Sequence, residues 1–237
     1  MLGALRSLRL RLWSARLRLR LRRHGMRLDL QLGRNIRFDT PPILELDPFG
    51  HDRGGALTLR IGDSVRLGRD LVIEVRTGTE STIAIGTGTV IHDWCRLQTR
   101  GGTLELGPFV NLRDFVHLKS ESSLVLGERV TIGRGAILQA AAGVTLGDGT
   151  GLAERTSVVD SDHVLDGSGG VVLDQPVRAE PIVIGRGVFA GANAIVLRGS
   201  RIGDGSLLAA GAVLNGNEVP AGHLAAGVPA RVGRRLS

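Results

Sequence analysis

The stretch that decides the fold is residues 184–213, which read IGRGVFAGANAIVLRGSRIGDGSLLAAGAV. An aliphatic residue followed by glycine opens it at Ile184-Gly185 and recurs 18 residues later at Ile202-Gly203. The same type of lead recurs upstream at three positions that are 20 residues apart: Leu106, Leu126 and Leu146. Three six-residue blocks make 18 residues, and two further residues at one corner make 20. A fixed period of this length indicates a solenoid whose turns stack on one another.

Hexads of this kind predict three short strands per turn, each pointing one aliphatic side chain inward. Glycine and other small residues then occupy the bends, where a positive φ or a close backbone approach is needed. Stacked turns pair as parallel strands, and about seven turns at about 4.8 Å each give a prism about 33 Å long. Gly is 35 of 237 residues and aromatics are only 3%, as expected for thin aliphatic layers. We therefore predict an all-β parallel β-helix.

The composition excludes several other classes of protein. A hydrophobic fraction of 42% argues against disorder, and the absence of a strict Gly-X-Y period excludes collagen. Cys95 is the single cysteine, so an internal disulfide framework and a multi-cysteine zinc site are excluded. The apolar runs are too short to span a bilayer, and the first residues lack the apolar core of a secretory signal. We expect a cytoplasmic protein.

The repeat resembles the hexapeptide-repeat acyltransferase family, and the resemblance covers residues 57–219. It is strongest over residues 184–213 and in the segment Ala226-Gly227-Val228-Pro229-Ala230-Arg231-Val232. Within the family, the pattern looks like the acetyl-CoA-dependent O-acetyltransferases of galactosides, maltose, xenobiotics and polysaccharides. The resemblance implies a left-handed β-helix, a homotrimer and acetyl-CoA as the acyl donor substrate.

Residues 1–27 form a basic segment in front of the repeats. They carry nine arginines and no acidic residue, whereas the remaining residues carry 21 Lys+Arg against 23 Asp+Glu. Leucines recur at helical spacing at Leu2, Leu5, Leu8 and Leu12, whereas Leu17, Leu19 and Leu21 alternate. One interpretation is a basic amphipathic helix lying on the inner face of an anionic membrane. The other is a helix that caps the prism or packs on a neighbouring subunit; we slightly favour the second.

Three further segments depart from the hexad pattern. Residues 28–56, with several prolines and a glycine pair, predict an irregular lead-in. Residues 164–181 interrupt the repeat, because the step from Leu146 to Ile184 is one turn plus 18 residues, and they predict an inserted loop. Residues 220–237 predict a C-terminal tail that packs back along the prism.

A base for acyl transfer is expected among six histidines. His163 ends a hexad at the point where the insertion begins, and the resemblance implies that it is the catalytic base. Asp160 or Asp162 could hold the other ring nitrogen and select the tautomer. His117 and His92 are weaker candidates on earlier turns.

Other chemistries are disfavoured. The zinc-dependent hexapeptide enzymes, the γ-carbonic anhydrases, need three histidines with two close together, and His92, His117 and His163 are far apart, so we expect no metal. Cys95 has no acid–base partner near it in sequence and is interpreted as a small buried residue. The arginines of residues 1–27 lack the aromatic residues and the recognition module that nucleic-acid binding would require.

The resemblance also implies a coenzyme A groove along the last turns. The small-residue runs Ala190-Gly191-Ala192 and Ala209-Ala210-Gly211 lie one turn apart and would let pantetheine approach the backbone, although tight corner packing also requires small residues. Phe189 corresponds to a contact beside this groove. Arg231 and Arg234 could contact the phosphates of coenzyme A.

We therefore predict transfer of an acetyl group to a sugar hydroxyl on a polysaccharide, glycolipid or small glycoside. One alternative acceptor is the amine of a nucleotide-linked amino sugar. A non-catalytic alternative is a β-helix scaffold anchored by its basic segment. The insertion is expected to reach a neighbouring subunit, so that each active site lies between two chains.

Overall fold

The computed structural model describes residues 2–47, 52–164, 167 and 170–236, and it shows a parallel β-helix with three sheets. Sheet A has nine strands: β1 (Arg27–Leu32), β4 (Ala56–Ile61), β7 (Glu80–Ile85), β10 (Thr103–Leu106), β13 (Ser123–Leu126), β16 (Val144–Leu146), β21 (Ile182–Ile184), β24 (Arg201–Ile202) and β27 (Glu218–Val219). Sheet B has ten: β2 (Arg37–Phe38), β5 (Arg66–Leu67), β8 (Val90–Ile91), β11 (Asn111–Leu112), β14 (Thr131–Ile132), β17 (Gly151–Leu152), β22 (Phe189–Ala190), β25 (Leu207–Leu208), β28 (His223–Ala226) and β29 (Arg231–Arg235). Sheet C has eight: β3 (Ile43–Leu46), β6 (Val72–Val75), β9 (Arg96–Thr99), β12 (His117–Ser120), β15 (Ile137–Ala140), β18 (Ser157–Val159), β23 (Ile195–Leu197) and β26 (Val213–Asn215). The predicted all-β, left-handed β-helix is confirmed.

The core consists of aliphatic ladders, because equivalent residues of successive turns are in register. On sheet C, Leu97 stands beside Leu118, and Leu118 beside Leu138. All three are fully buried. Such ladders fill the narrow prism without aromatic side chains, which explains the composition.

Two expectations about the solenoid's extent are corrected by the structure. It has eight turns rather than about seven, as the eight strands of sheet C show. The first turn lies within the segment 28–56 that we expected to be irregular, because β1 pairs in parallel with β4 along its whole length. The alternation of Leu28, Leu30 and Leu32 with polar residues, followed by Gly33, is the strand-and-bend signal that the prolines obscured.

The basic segment forms helix α1 (Leu2–Arg23), which lies across the first turn of the prism. Its buried stripe is Trp13, Leu17 and Leu21. The Trp13 indole Nε1 donates to the Pro42 carbonyl oxygen at 2.9 Å, just before β3. The same ring lies 6.3 Å, centroid to centroid, from Phe38 on β2. No described helix is long and apolar enough to cross a membrane.

The described part of the insertion contains a two-stranded ribbon and a short helix. β19 (Ser161–His163) pairs antiparallel with β20 (Val177–Ala179), and a short 3-10 helix η1 (Val172–Asp174) precedes β20. The tail continues sheet B through β28, and β29 folds back antiparallel on it. The ribbon of β19 and β20 brings the first candidate site residue onto an ordered element.

Candidate active site

His163 ends the strand that leaves the prism between sheets C and A. On β19 it is paired with Val177 of β20, and the Val164 amide donates to the Pro176 carbonyl oxygen at 2.8 Å. The imidazole is half-buried. His163 is therefore held by the two-stranded ribbon at the root of the insertion.

The ring orientation of His163 follows from a backbone contact. Its Nδ1 lies 3.3 Å from the Gln175 carbonyl oxygen. A carbonyl oxygen can only accept, so Nδ1 carries the proton in this hydrogen bond. Nε2 of the neutral ring then has a free lone pair, which is the form that a general base requires. The sequence offered no signal for Gln175, because its main chain rather than its side chain makes the contact.

Asp160 is fully buried, and its carboxylate is hydrogen-bonded to the main chain of the preceding turn. It accepts from the amides of Ala141, Ala142 and Gly143, each at 2.7 Å. Its own carbonyl oxygen accepts from the Glu180 amide at 2.9 Å, where the insertion returns to the prism. Asp160 thus holds the base of both strands of the ribbon, and among the described residues no hydrogen bond joins its carboxylate to the His163 imidazole.

Asp162 is exposed and faces a different partner. Its Oδ1 accepts from Nε of Arg198 at 2.7 Å, and Nη1 of Arg198 also donates to Oε1 of Glu180 at 2.9 Å. The hydrogen bond to Asp162 raises the pKa of Arg198 above its ordinary value. Within one chain, neither aspartate makes the contact with His163 that we expected, and that role of the carboxylates stays a prediction.

A pocket of about 280 Å³ opens beside His163. Its other polar lining comes from Ser161 and Asp162 of the ribbon and from Lys119, Gln139 and Glu121 on the outer face of sheet C and the corner after it. Lys119 Nζ and Glu121 Oε1 are 2.8 Å apart. The side chains from sheet C point away from the core, so the hexad pattern gives no indication of them. The pocket is large enough for a hydroxyl-bearing group beside the His163 side chain.

The weaker candidates lie elsewhere. His117 stands on β12, where its Nε2 is 3.2 Å from the Gln98 Oε1 and burial lowers its pKa. His92 lies at a corner between sheets B and C. Cys95 is fully buried, and burial raises the pKa of its thiol to about 12, which agrees with a packing role.

The residues predicted to bind coenzyme A lie along another edge of the prism. Gly191 and Ala192 follow β22, and residues 209–211 follow β25, so both runs form corners between sheets B and C. Ala210 and Gly211 are exposed, and so is Phe189 on sheet B. Arg231 and Arg234 are exposed on β29. One chain therefore places His163 and these corners at opposite edges of sheet C.

Gly191 has a packing reason that is independent of any ligand. A Cβ built on it would lie 2.5 Å from the Ala210 amide nitrogen in the next turn. Gly211 has a φ of +69°, in the left-handed region that favours glycine. Corner geometry alone thus accounts for both glycines, and the binding role of these runs stays a prediction.

The stacked six-residue repeats are typical of hexapeptide-repeat proteins, and comparison with known proteins agrees with this class. The family described as "Bacterial transferase hexapeptide (six repeats)" matches residues 181–216, and the chain belongs to this hexapeptide-repeat family. A Mycobacterium tuberculosis protein described as a "probable acetyltransferase" is 32% identical over 162 residues, which are 67% of this chain and 52% of that protein.

Two further proteins are similar to this chain, one over a short segment and one over nearly its whole length. The 2,3,4,5-tetrahydropyridine-2,6-dicarboxylate N-acetyltransferase of Staphylococcus aureus is 42% identical over 73 residues, 30% of this chain and 30% of that one. The chain thus matches about half or less of the length of these relatives. A mutant of AntD, an N-acyltransferase from Bacillus cereus crystallised with dTDP-4-amino-4,6-dideoxyglucose and coenzyme A, shares the fold: the TM-score is 0.51 at 14% identity, over 93% of this chain and 89% of that one.

Proposed function

We propose that the protein transfers an acetyl group from acetyl-CoA to a sugar hydroxyl, with His163 as general base. The observation that carries the proposal is the orientation of the imidazole. Its Nδ1 donates to the Gln175 carbonyl oxygen, and the ring lines a polar pocket on the outer face of sheet C. The similarity to the mycobacterial acetyltransferase supports the same reaction class.

The reaction requires no covalent enzyme intermediate. Nε2 removes the proton of the acceptor hydroxyl as its oxygen attacks the thioester carbonyl carbon. The tetrahedral intermediate collapses, the C–S bond breaks, and the thiolate of coenzyme A takes up the proton from the imidazolium. The Gln175 carbonyl stabilises the imidazolium by accepting from Nδ1 throughout.

Acetyl-CoA is proposed to lie along the corners after β22 and β25. The exposed carbonyl groups at Ala210 and Gly211 would accept hydrogen bonds from the pantetheine amides, whereas the Gly211 amide already donates to the Ala192 carbonyl oxygen at 2.9 Å. Phe189 offers an exposed ring beside the same edge. Arg231 and Arg234 are exposed on the neighbouring β29 and carry the charge that phosphates require.

A complete site would then need two chains. His163 leaves the prism between sheets C and A, whereas the proposed donor corners lie between sheets B and C. In a three-fold assembly, one chain can present its ribbon to the donor corners of the next, which is the homotrimer that the resemblance implies.

The test compares the wild type with His163→Ala, using His24→Ala at an exposed position as the matched control. Calorimetry should show acetyl-CoA binding to all three. Release of coenzyme A on a panel of sugar acceptors should fall by about 10²- to 10⁴-fold in His163→Ala alone. Unchanged release in His163→Ala would refute the assignment of the base, and no acetyl-CoA binding by the wild type would favour the scaffold interpretation.

An amine acceptor is the second candidate, because the matched Staphylococcus aureus relative is named an N-acetyltransferase. Adding amino sugars linked to nucleotides to the same panel separates the two. Turnover confined to amines would replace the hydroxyl acceptor while retaining His163.

A further inference from the structure

Helix α1 has a second apolar stripe that the prism does not cover. Leu8, Leu12 and Leu19 are 53%, 51% and 54% exposed. Their spacings of four and seven residues put them on one face of the helix. The buried residues Trp13, Leu17 and Leu21 occupy the opposite face. We call the face with Leu8, Leu12 and Leu19 the outer face of α1.

The outer face is bordered by exposed arginines. The seven arginines between residues 8 and 23 are all exposed: Arg9, Arg11, Arg16, Arg18, Arg20, Arg22 and Arg23. In the part of the chain that the structure describes, none of them forms an ion pair with a carboxylate. Their charge is therefore available to a partner.

The position of α1 points this face away from the rest of the molecule. The helix lies across the first turn, where Trp13 contacts both Phe38 of sheet B and the Pro42 carbonyl before sheet C. The chain after residue 27 has 21 basic and 23 acidic residues, so it is close to neutral. The molecule thus presents a strongly positive end with a row of exposed leucines between the arginines.

We propose that the outer face of α1 binds the surface of an anionic membrane, with the leucines in the acyl boundary and the arginines at the headgroups. Arginine stems can lie along the apolar row while the guanidinium groups reach the phosphates. A second copy of this face is disfavoured by like charge. A nucleic acid would attract the arginines but would leave the three leucines in water. The inference does not depend on the proposed acyl transfer.

Co-sedimentation of the full-length protein with vesicles tests this proposal. One set of vesicles is phosphatidylcholine alone. The other contains about 30% phosphatidylglycerol, an anionic lipid. We expect binding to the anionic vesicles only, and its loss at high salt because surface charges are screened.

Two sets of variants separate the leucines from the arginines. The triple variant Leu8→Gln, Leu12→Gln, Leu19→Gln should weaken binding by about tenfold or more. Its control is Val171→Gln, Val172→Gln, Leu173→Gln, three exposed apolar residues of the insertion. The triple variant Arg9→Gln, Arg16→Gln, Arg20→Gln should weaken binding on the order of a hundredfold. Its control is Arg60→Gln, Arg113→Gln, Arg201→Gln, which are exposed elsewhere.

Several outcomes would overturn the proposal. One is failure of the wild type to bind anionic vesicles, and another is full binding by the leucine variant. Tighter binding to a DNA or RNA duplex than to vesicles, unaffected by the leucine substitutions, would assign the arginines to nucleic acid. A smaller oligomer for the leucine variant in sedimentation velocity would assign the face to a second copy. Thermal melting by circular dichroism checks that each variant is folded.

Discussion

At the scale of single residues, Asp160 and Asp162 show how position within a turn decides the role of a carboxylate. Asp160 ends a hexad and points inward, so three backbone amides surround it. Asp162 lies two residues further along, on the exposed ribbon, where Arg198 is its partner. The sequence Asp-Ser-Asp-His made both look equivalent as partners of His163. The structure separates them into an anchor of the ribbon and a surface ion pair.

The two aspartates should therefore differ in their contribution to stability. Asp160→Ala leaves the amides of three half-buried residues without their acceptor and should lower the free energy of unfolding by about 3 kcal/mol. Asp162→Ala removes an exposed ion pair and should cost less than about 1 kcal/mol. Urea unfolding of both variants measures the difference. Equal losses would contradict the anchoring role.

His117 should make the fold sensitive to mild acid. Burial, reinforced by the nearby Arg96, lowers its pKa below the ordinary value, so the unfolded chain binds this proton more readily than the native protein. The neutral ring favours the native state above the unfolded pKa of about 6.5, and this contribution is lost as the pH falls through the lowered native pKa.

Urea midpoints at neutral pH and in mild acid measure this effect. The wild type should lose more stability between the two conditions than His117→Gln does. His24→Gln, at an exposed position, is the control and should behave as the wild type. An identical acid dependence in His117→Gln would show that other groups cause it.

At the scale of elements, what surrounds a glycine decides whether a larger residue can replace it. Gly191 lies against the Ala210 amide of the next turn, whereas Gly151 faces the ring of Phe189, with 3.3 Å between its built Cβ and Cδ2. Backbone in the next turn cannot move without shifting the whole turn, but an exposed ring can tilt.

The two glycines should accordingly differ in how well each tolerates substitution by alanine. Gly191→Ala should lower the free energy of unfolding by about 2 kcal/mol because the added methyl group overpacks the corner. Gly151→Ala should cost under about 1 kcal/mol, since the ring of Phe189 can give way. Thermal melting ranks the two variants. The reverse order would mean that the corner is less rigid than the structure indicates.

At the scale of the whole molecule, helix α1, the His163 ribbon and the proposed donor corners lie at different edges and ends of one prism. Helix α1 covers the first turn, the ribbon with His163 leaves the sixth of eight turns, and the proposed donor corners follow on the seventh and eighth. Because the ribbon and the donor corners are on opposite edges of sheet C, their cooperation depends on assembly.

Mixed oligomers test that dependence. His163→Ala and Ala210→Trp, which would block the donor corner, should each be inactive alone. After co-refolding in equal amounts, about a quarter of the sites in a trimer should pair an intact ribbon with an intact corner of the neighbouring chain. Recovery of activity in the mixture supports a shared site, whereas no recovery would indicate that each chain forms its own.

The hexads alone predict the solenoid, because a strict six-residue period indicates one kind of turn. The lead at Leu32-Gly33 is harder to recognise, because Pro41-Pro42 and the glycine pair indicate an irregular segment, whereas β1 pairs with β4 in the structure. The leucine spacing predicts the helix as well. It does not predict which apolar stripe is buried, because leucines lie on both faces and only packing distinguishes them.

The sequence by itself determined the solenoid and the position of the insertion, since both are a matter of spacing along the chain. The choice of His163 as the base rests on the family resemblance and stays a prediction. Only the tertiary structure decided the partners of the site residues. The contact of His163 with the Gln175 carbonyl depends on the pairing of β19 with β20. The pocket residues Lys119 and Gln139 and the buried position of Asp160 depend on neighbours from other turns. Outward-facing side chains are not constrained by the hexad period, so their contacts become defined only when the turns stack.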